Sequence, residues 1–149
     1  MAILILLDST PLSLITNPKA SSNTQDCQEW FQNLAERNYL PVFPEIIDYE
    51  VRRELIRARK LAGIRRLDQL KEEILFLPIT TAVMLKAAKL WAQVRQQGKP
   101  TADDRALDGD VILAAQAILL SEMDHQVLIA TSNPKHLSLF ITAKNWHEI

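Results

Sequence analysis

One cysteine, three glycines and a near-absence of net charge are the first things to notice in this 149-residue sequence. A lone Cys27 cannot form an internal disulfide, which excludes a disulfide-stapled scaffold and fits a reducing, cytoplasmic setting. Three glycines leave little room for long flexible loops, and no repeat, linker or low-complexity tract interrupts the chain. A single domain over residues 1–149 is therefore expected, long enough to bury roughly 70% of the extended chain's surface. No apolar run reaches the length of a membrane span. The opening "MAILILL" is too short for one and lacks the positive flank of a secretory signal, so it reads as a strand. Seventeen Lys and Arg against eighteen Asp and Glu give a net charge of −1, with no global pull toward nucleic acid; any such contact must rest on a local basic patch. What remains, 48% hydrophobic and 23% charged, is the balance of a soluble globular protein.

Strand-like and helix-like stretches alternate along the chain. "AILILL" ends at Asp8-Ser9-Thr10-Pro11, a strand running into a turn and a helix start. "NTQDCQEWFQNLAERN" has helical spacing at Cys27, Trp30, Phe31 and Leu34. "LPVFP" is a short strand, and the helix opening at Pro44 should close at Gly63, before a second short helix over "IRRLDQLKEE". "ILFLPI" follows as the third strand, then a helix closed by Gly98. A buried helix, the strand "QVLIATSN" and a fifth strand in "LFITAKNW" complete the chain. Continuous apolar runs such as "ILILL" suit strands covered on both faces. The pattern predicts an α/β fold: a mostly parallel central sheet of four to five strands, with helices on both faces.

In such sheets ligands sit beyond the carboxyl ends of the strands, which selects Asp8 and Thr131-Ser132-Asn133. Asp8 is equally explained as a helix cap or Asx turn. On the helix from Pro44, Glu45 and Asp48 are accounted for by favourable placement near a helix N-terminus. Glu50 and Glu54 fall on the apolar face set by Ile46, Ile47, Val51 and Leu55, and the pattern does not separate them. "TADDRALDGDVILAAQAILL" crowds Asp103, Asp104, Asp108 and Asp110 ahead of an apolar helix. The first three are adequately explained by capping and solvation. Asp110 should lie on the first turn of the buried helix, as a cap or as a ligand.

Two carboxylates ~4 Å apart repel by about 4 kcal/mol at an effective dielectric near 20, so converging acids want a cation. Oxygen donors without a His or Cys cluster favour Mg²⁺ or Mn²⁺ over zinc. Carboxylate-held divalent ions are suited to activating water against a phosphodiester. His125, His136 and His147 read as surface or packing residues.

"LLDSTPLSLI", "DYEVRREL", "DGDVILAAQA" and "IATSNPKHL" together resemble the PIN domain, specifically the VapC-type toxins of bacterial toxin–antitoxin pairs, in order over nearly the whole chain. The resemblance implies a three-layer PIN-like fold and a Mg²⁺- or Mn²⁺-dependent endoribonuclease. It places the acids on Asp8, on Glu50 rather than Glu54, and on Asp110, all three expected as metal ligands. Ser9, Thr131 and Ser132 are expected in support. At the fourth position, where many relatives carry Asp, this chain has Asn133, which weakens the case for a second cation. Asp108 could substitute, but a helix turns it ~200° from Asp110. The resemblance also implies an RNA substrate, a small antitoxin and a homodimer. Arg52 and Arg53, in the densest basic region, could guide phosphate or form a solvated helix face. For the antitoxin, helices carrying Trp30, Phe31, Ile46, Ile47 and Val51 should offer an apolar groove beside the acids.

Two rival readings are a receiver-like or aspartyl-phosphate protein and a catalytically silent α/β interaction module. The first wants a lysine at the end of a late strand, where this chain has Thr131-Ser132-Asn133 with Lys135 only past a proline. The second should ignore millimolar Mg²⁺ or Mn²⁺ in a thermal shift, which a carboxylate site should not.

Overall fold

The computed structural model describes residues 1–98 and 104–149. Its centre is a five-stranded, wholly parallel sheet: β1 (Ile3–Leu7), β2 (Tyr39–Pro44), β3 (Leu75–Leu77), β4 (Val127–Thr131) and β5 (Ala143–Asn145), in the order β3-β2-β1-β4-β5. The strands are joined through helices α1 (Ser9–Thr16), α2 (Ser22–Gln32), α3 (Glu45–Arg57), α4 (Leu61–Glu73), α5 (Thr81–Gln96), α6 (Asp104–Ser121) and α7 (Pro134–Leu137). The expected α/β class stands, and the sheet is entirely rather than mostly parallel.

Strand order reverses between β1 and β4. These strands are the most apolar, with Ile5, Leu6, Leu7, Ile129 and Ala130 fully buried. Leu7 pairs with Ala130, so the residues just beyond, Asp8 and Thr131, leave the sheet side by side. Connections diverge from this point and leave a cleft at the carboxyl edge. The main core surrounds β1, β2 and β4, while a second packs Val83, Ala87, Leu90 and Val94 of α5 against Leu107, Val111, Ala114 and Ala115 of α6.

Three sequence expectations are corrected. The helix opening at Pro44 ends at Arg57, not at Gly63: Arg59 adopts φ 56°, the chain reverses, and Gly63 lies inside α4 with Leu55 packed over it. Asp110 is not on the first turn of its helix, since α6 already begins at Asp104. Its backbone N–H is satisfied within the helix, which removes the capping explanation. Asp103 lies outside the described residues. Trp30, Phe31, Ile46, Ile47 and Val51 do not together form an apolar groove beside the acids; they pack in or against the main core, Trp30 against the Trp146 ring at 5.8 Å, and of the five Ile46 alone also lines the acids' cleft. The expected close of α5 at Gly98 holds, the glycine taking φ 65° just past the helix end.

Candidate active site

Asp8 caps α1 and also faces the cleft. One carboxylate oxygen accepts the Ser9 backbone N–H at 2.8 Å, and the other accepts the Thr131 hydroxyl at 2.7 Å. Thr131 is itself buried and accepts the Asn133 backbone N–H at 3.1 Å. Ser132 reaches across to the Thr10 hydroxyl at 3.0 Å, a second tie between the two strand ends. These bonds hold the Asp8 side chain in one rotamer. Burial raises its pKa above the ordinary value, and the Thr131 and Ser9 hydrogen bonds offset only part of the rise.

Glu50 enters from α3. Burial, with the nearby Asp8 charge as the next cause, pushes its carboxyl up to about 7 against the pull of Arg53, and Asp110 adds to the rise. Asp110, from α6, is raised to about 6 by burial and by Asp8, while His136 on α7 opposes the shift. Asp8 thus disfavours ionisation of both other acids and Asp110 that of Glu50, and the opposing pulls of Arg53 and His136 do not cancel the rise.

The three acids line a cleft of about 580 Å³ with Ser9, Ile46, Tyr49, Arg53, Asp108, Gly109 and Ile112. Glu54, the competitor of Glu50 in the sequence pattern, is instead exposed and paired with Arg57 at 2.8 Å. Asp108 is exposed at the cleft's rim. Asn133 is exposed at the start of α7 and is not among the cleft's lining residues. Arg52 is committed elsewhere, bridging Asp48 at 2.8 Å and Asp68 at 2.7 Å. Arg53 does reach the cleft, its guanidinium 5.0 Å from the centre of the Tyr49 ring. Tyr49 carries no signal in the sequence, and His136 reads there as a surface or packing residue. One is an exposed tyrosine on a polar helix face, the other a histidine on a one-turn helix, and only the fold brings them to the acids.

Asp8, Glu50 and Asp110 are the residues that could hold a cation. Among the described residues no three His, Cys, Asp or Glu side chains are grouped closely enough to hold one as they stand. The acids share a cleft without meeting at a point.

No protein-family model matches the sequence, and no curated protein matches it significantly. Solved structures do. VapBC2 from Rickettsia felis, bound to a fragment of promoter DNA, aligns with a TM-score of 0.72 and 16% identity over 97% of this chain and 99% of that one. VapBC-1 from nontypeable Haemophilus influenzae gives 0.62 and 18%, over 97% and 99% of the two chains. DNA-bound VapBC from Salmonella typhimurium gives 0.60 and 18%, over 98% and 99%. The fold is PIN-like. At these identities the likeness concerns backbone architecture, and it extends from end to end of the chain. In the PIN-like frame, Asp8 closes the central strand, and Glu50 and Asp110 approach it from the helices α3 and α6. No helix among the described residues is long and apolar enough to cross a membrane.

Proposed function

We propose that this chain is a divalent-metal-dependent endoribonuclease, the toxin of a VapBC-type pair, with its active site at Asp8, Glu50 and Asp110. The observation that carries the reading is the arrangement of the three acids. They come from three separate elements, face one cleft, and have their carboxyl pKa values raised by burial, with the Asp8 charge adding to the rise at Glu50 and Asp110. Such an arrangement costs stability unless a cation compensates it.

The donor set fits a hard cation. The described residues that line the cleft offer carboxylate oxygens and no sulfur or imidazole, and Mg²⁺ or Mn²⁺ commonly takes only one or two carboxylates directly and keeps several waters. That matches acids spread around a cleft rather than converged on a point. When bound, the ion would supply Lewis-acid charge stabilisation at a phosphate and a lowered pKa for water.

The chain's own groups do the rest. Thr131 and the Ser9 N–H fix Asp8, so its free lone pairs point in one direction. Glu50, raised to about 7 in the metal-free protein by burial and by Asp8, is the acid whose ionisation a bound cation would favour most. Arg53 can neutralise a phosphate at the cleft's mouth. The exposed Tyr49 ring, with Arg53 already over it, gives an unpaired base a stacking face. Among the described residues no lysine lines the cleft, as the phosphotransfer alternative would require, and Lys135 is exposed on α7.

Incubation with total RNA, with and without Mn²⁺, followed by mapping of new 5′ ends, tests the activity. Discrete Mn²⁺-dependent ends are expected; their absence with soluble, folded protein would leave the silent interaction module. For the partner, expression alone should slow host growth and co-expression of a cognate small antitoxin should restore it. The rescued protein should copurify with that antitoxin as a dimer of heterodimers. Normal growth from intact protein expressed alone would remove the toxin role.

A further inference from the structure

α3 and α6 meet at the cleft, where the Glu50 carboxylate of α3 lies against Gly109 of α6. Gly109 lies inside α6, where glycine is among the poorest helix formers. A Cβ built on Gly109 would collide with Glu50 Oε1 and stand 3.4 Å from Glu50 Cδ; among the described residues, the helix's own nearby backbone aside, no other group lies within van der Waals reach of it. Gly109 is therefore not needed for a turn, a positive φ or backbone packing. What its missing side chain does is leave room for the end of the Glu50 side chain, one residue from Asp110.

We infer that Gly109 is a positioning residue: its bare Cα is the seat that holds the Glu50 carboxylate in the cleft beside Asp8 and Asp110. Any side chain at 109 displaces Glu50. The obstructed atoms are the far end of a flexible side chain, so displacement is conformationally cheap. The fold should tolerate the substitution that the site does not. This separates Gly109 from a packing glycine such as Gly63, whose neighbour is the branched, partly buried Leu55.

The inference rests on the metal-site reading for its consequence but not for its geometry, and the test keeps the two apart. The metal-free full-length protein is melted as wild type, Gly109→Ala, Glu50→Ala and the double variant. Gly109→Ala should melt at or above wild type, because alanine favours the helix. It should gain more in the Glu50→Ala background, where nothing stands in the way. An equal gain in both backgrounds overturns the clearance role, and so does a Gly109→Ala melt several degrees below wild type in both.

The same proteins, together with Glu50→Asp and Gly109→Ala/Glu50→Asp, are titrated calorimetrically with Mn²⁺. Gly109→Ala should lose roughly tenfold in affinity, the scale for disturbing a ligand's support. In the Gly109→Ala background, the one-methylene-shorter aspartate at position 50 should bind better than glutamate. Wild-type affinity in Gly109→Ala overturns the consequence. Wild type that binds no Mn²⁺ overturns the metal reading, and the melting cycle alone then decides the clearance.

Discussion

Asp8 has two tasks that draw on the same atoms. As the cap of α1 it accepts the Ser9 N–H, worth about 1 kcal/mol to a helix; as a cleft acid it sits buried beside two other carboxylates. An amide at position 8 keeps a capping oxygen and removes the charge. Asp8→Asn, Glu50→Gln and Asp110→Asn should therefore each abolish Mn²⁺-dependent RNA cleavage while melting at or above wild type in metal-free buffer at pH 7.5. Glu50→Gln and Asp110→Asn should gain most, since both Asp8 oxygens already accept hydrogen bonds that offset part of its burial. Calorimetric melting and a total-RNA cleavage assay read the two effects. Wild-type cleavage by any one variant at saturating Mn²⁺ removes that residue from the site. Asn133→Asp, set outside the cleft's lining, should change Mn²⁺ affinity less than any of the three; a larger change would bring position 133 into the site.

At the scale of elements, α3 carries its polar residues on two opposed errands. Asp48 and Arg52 face α4 and tie it down through Asp68, while Tyr49, Glu50 and Arg53 face the cleft. The Asp48 side chain is 12% exposed and the Arg52 side chain 26%, so water reaches the pair and screens it. Arg52→Ala strands the Asp48 carboxylate and should cost on the order of 2 kcal/mol in urea unfolding, less than a fully buried pair would. It should leave affinity for a non-cleavable RNA almost unchanged. Arg53→Ala should do the reverse, weakening RNA binding at low salt without altering stability. If Arg52→Ala weakens RNA binding while stability holds, the two arginines have been assigned the wrong way round. This split was not legible in the chain, where the arginines are adjacent letters in one basic run. Legibility followed burial: "ILILL" and "VLIAT" announced β1 and β4, because strands covered on both faces must be apolar throughout, and so Asp8 and Thr131 were marked as strand ends. The apolar face of α3 admitted both Glu50 and Glu54, because a helix wheel does not know that α6 packs over one and leaves the other to Arg57. Apolar content also hid Gln116, buried in α6. Its amide donates to the Leu77 carbonyl at 2.8 Å, while its Oε1 has no partner among the described residues. The start of α6 was misplaced because its first turn is polar and gives no hydrophobic period to read.

For the whole molecule, the acid cluster sets how stability responds to pH, and the sign is opposite to that of an ion-paired carboxylate. Glu50 is raised to about 7 and Asp110 to about 6, from ordinary values of 4.5 and 3.8. Between the ordinary and the raised values the folded chain holds protons that the unfolded chain has released. Stability therefore falls as pH rises through this window. The contribution is most favourable below the ordinary values near pH 4 and is lost as pH rises through about 6 for Asp110 and about 7 for Glu50. Metal-free protein should thus melt at a lower temperature at pH 7.5 than at pH 5.5. A divalent ion bound by the ionised acids competes with those protons, so its stabilisation should grow in the same direction. Millimolar Mn²⁺ should raise the melting temperature strongly at pH 7.5 and little at pH 5.5, flattening or reversing the pH trend. Glu50→Gln should weaken both the pH trend and the Mn²⁺ response, because one side chain contributes to each. An Mn²⁺ response independent of pH would mean that the ion binds away from these carboxylates. A pH trend that survives in the Glu50→Gln, Asp110→Asn double variant would place its origin outside the cleft.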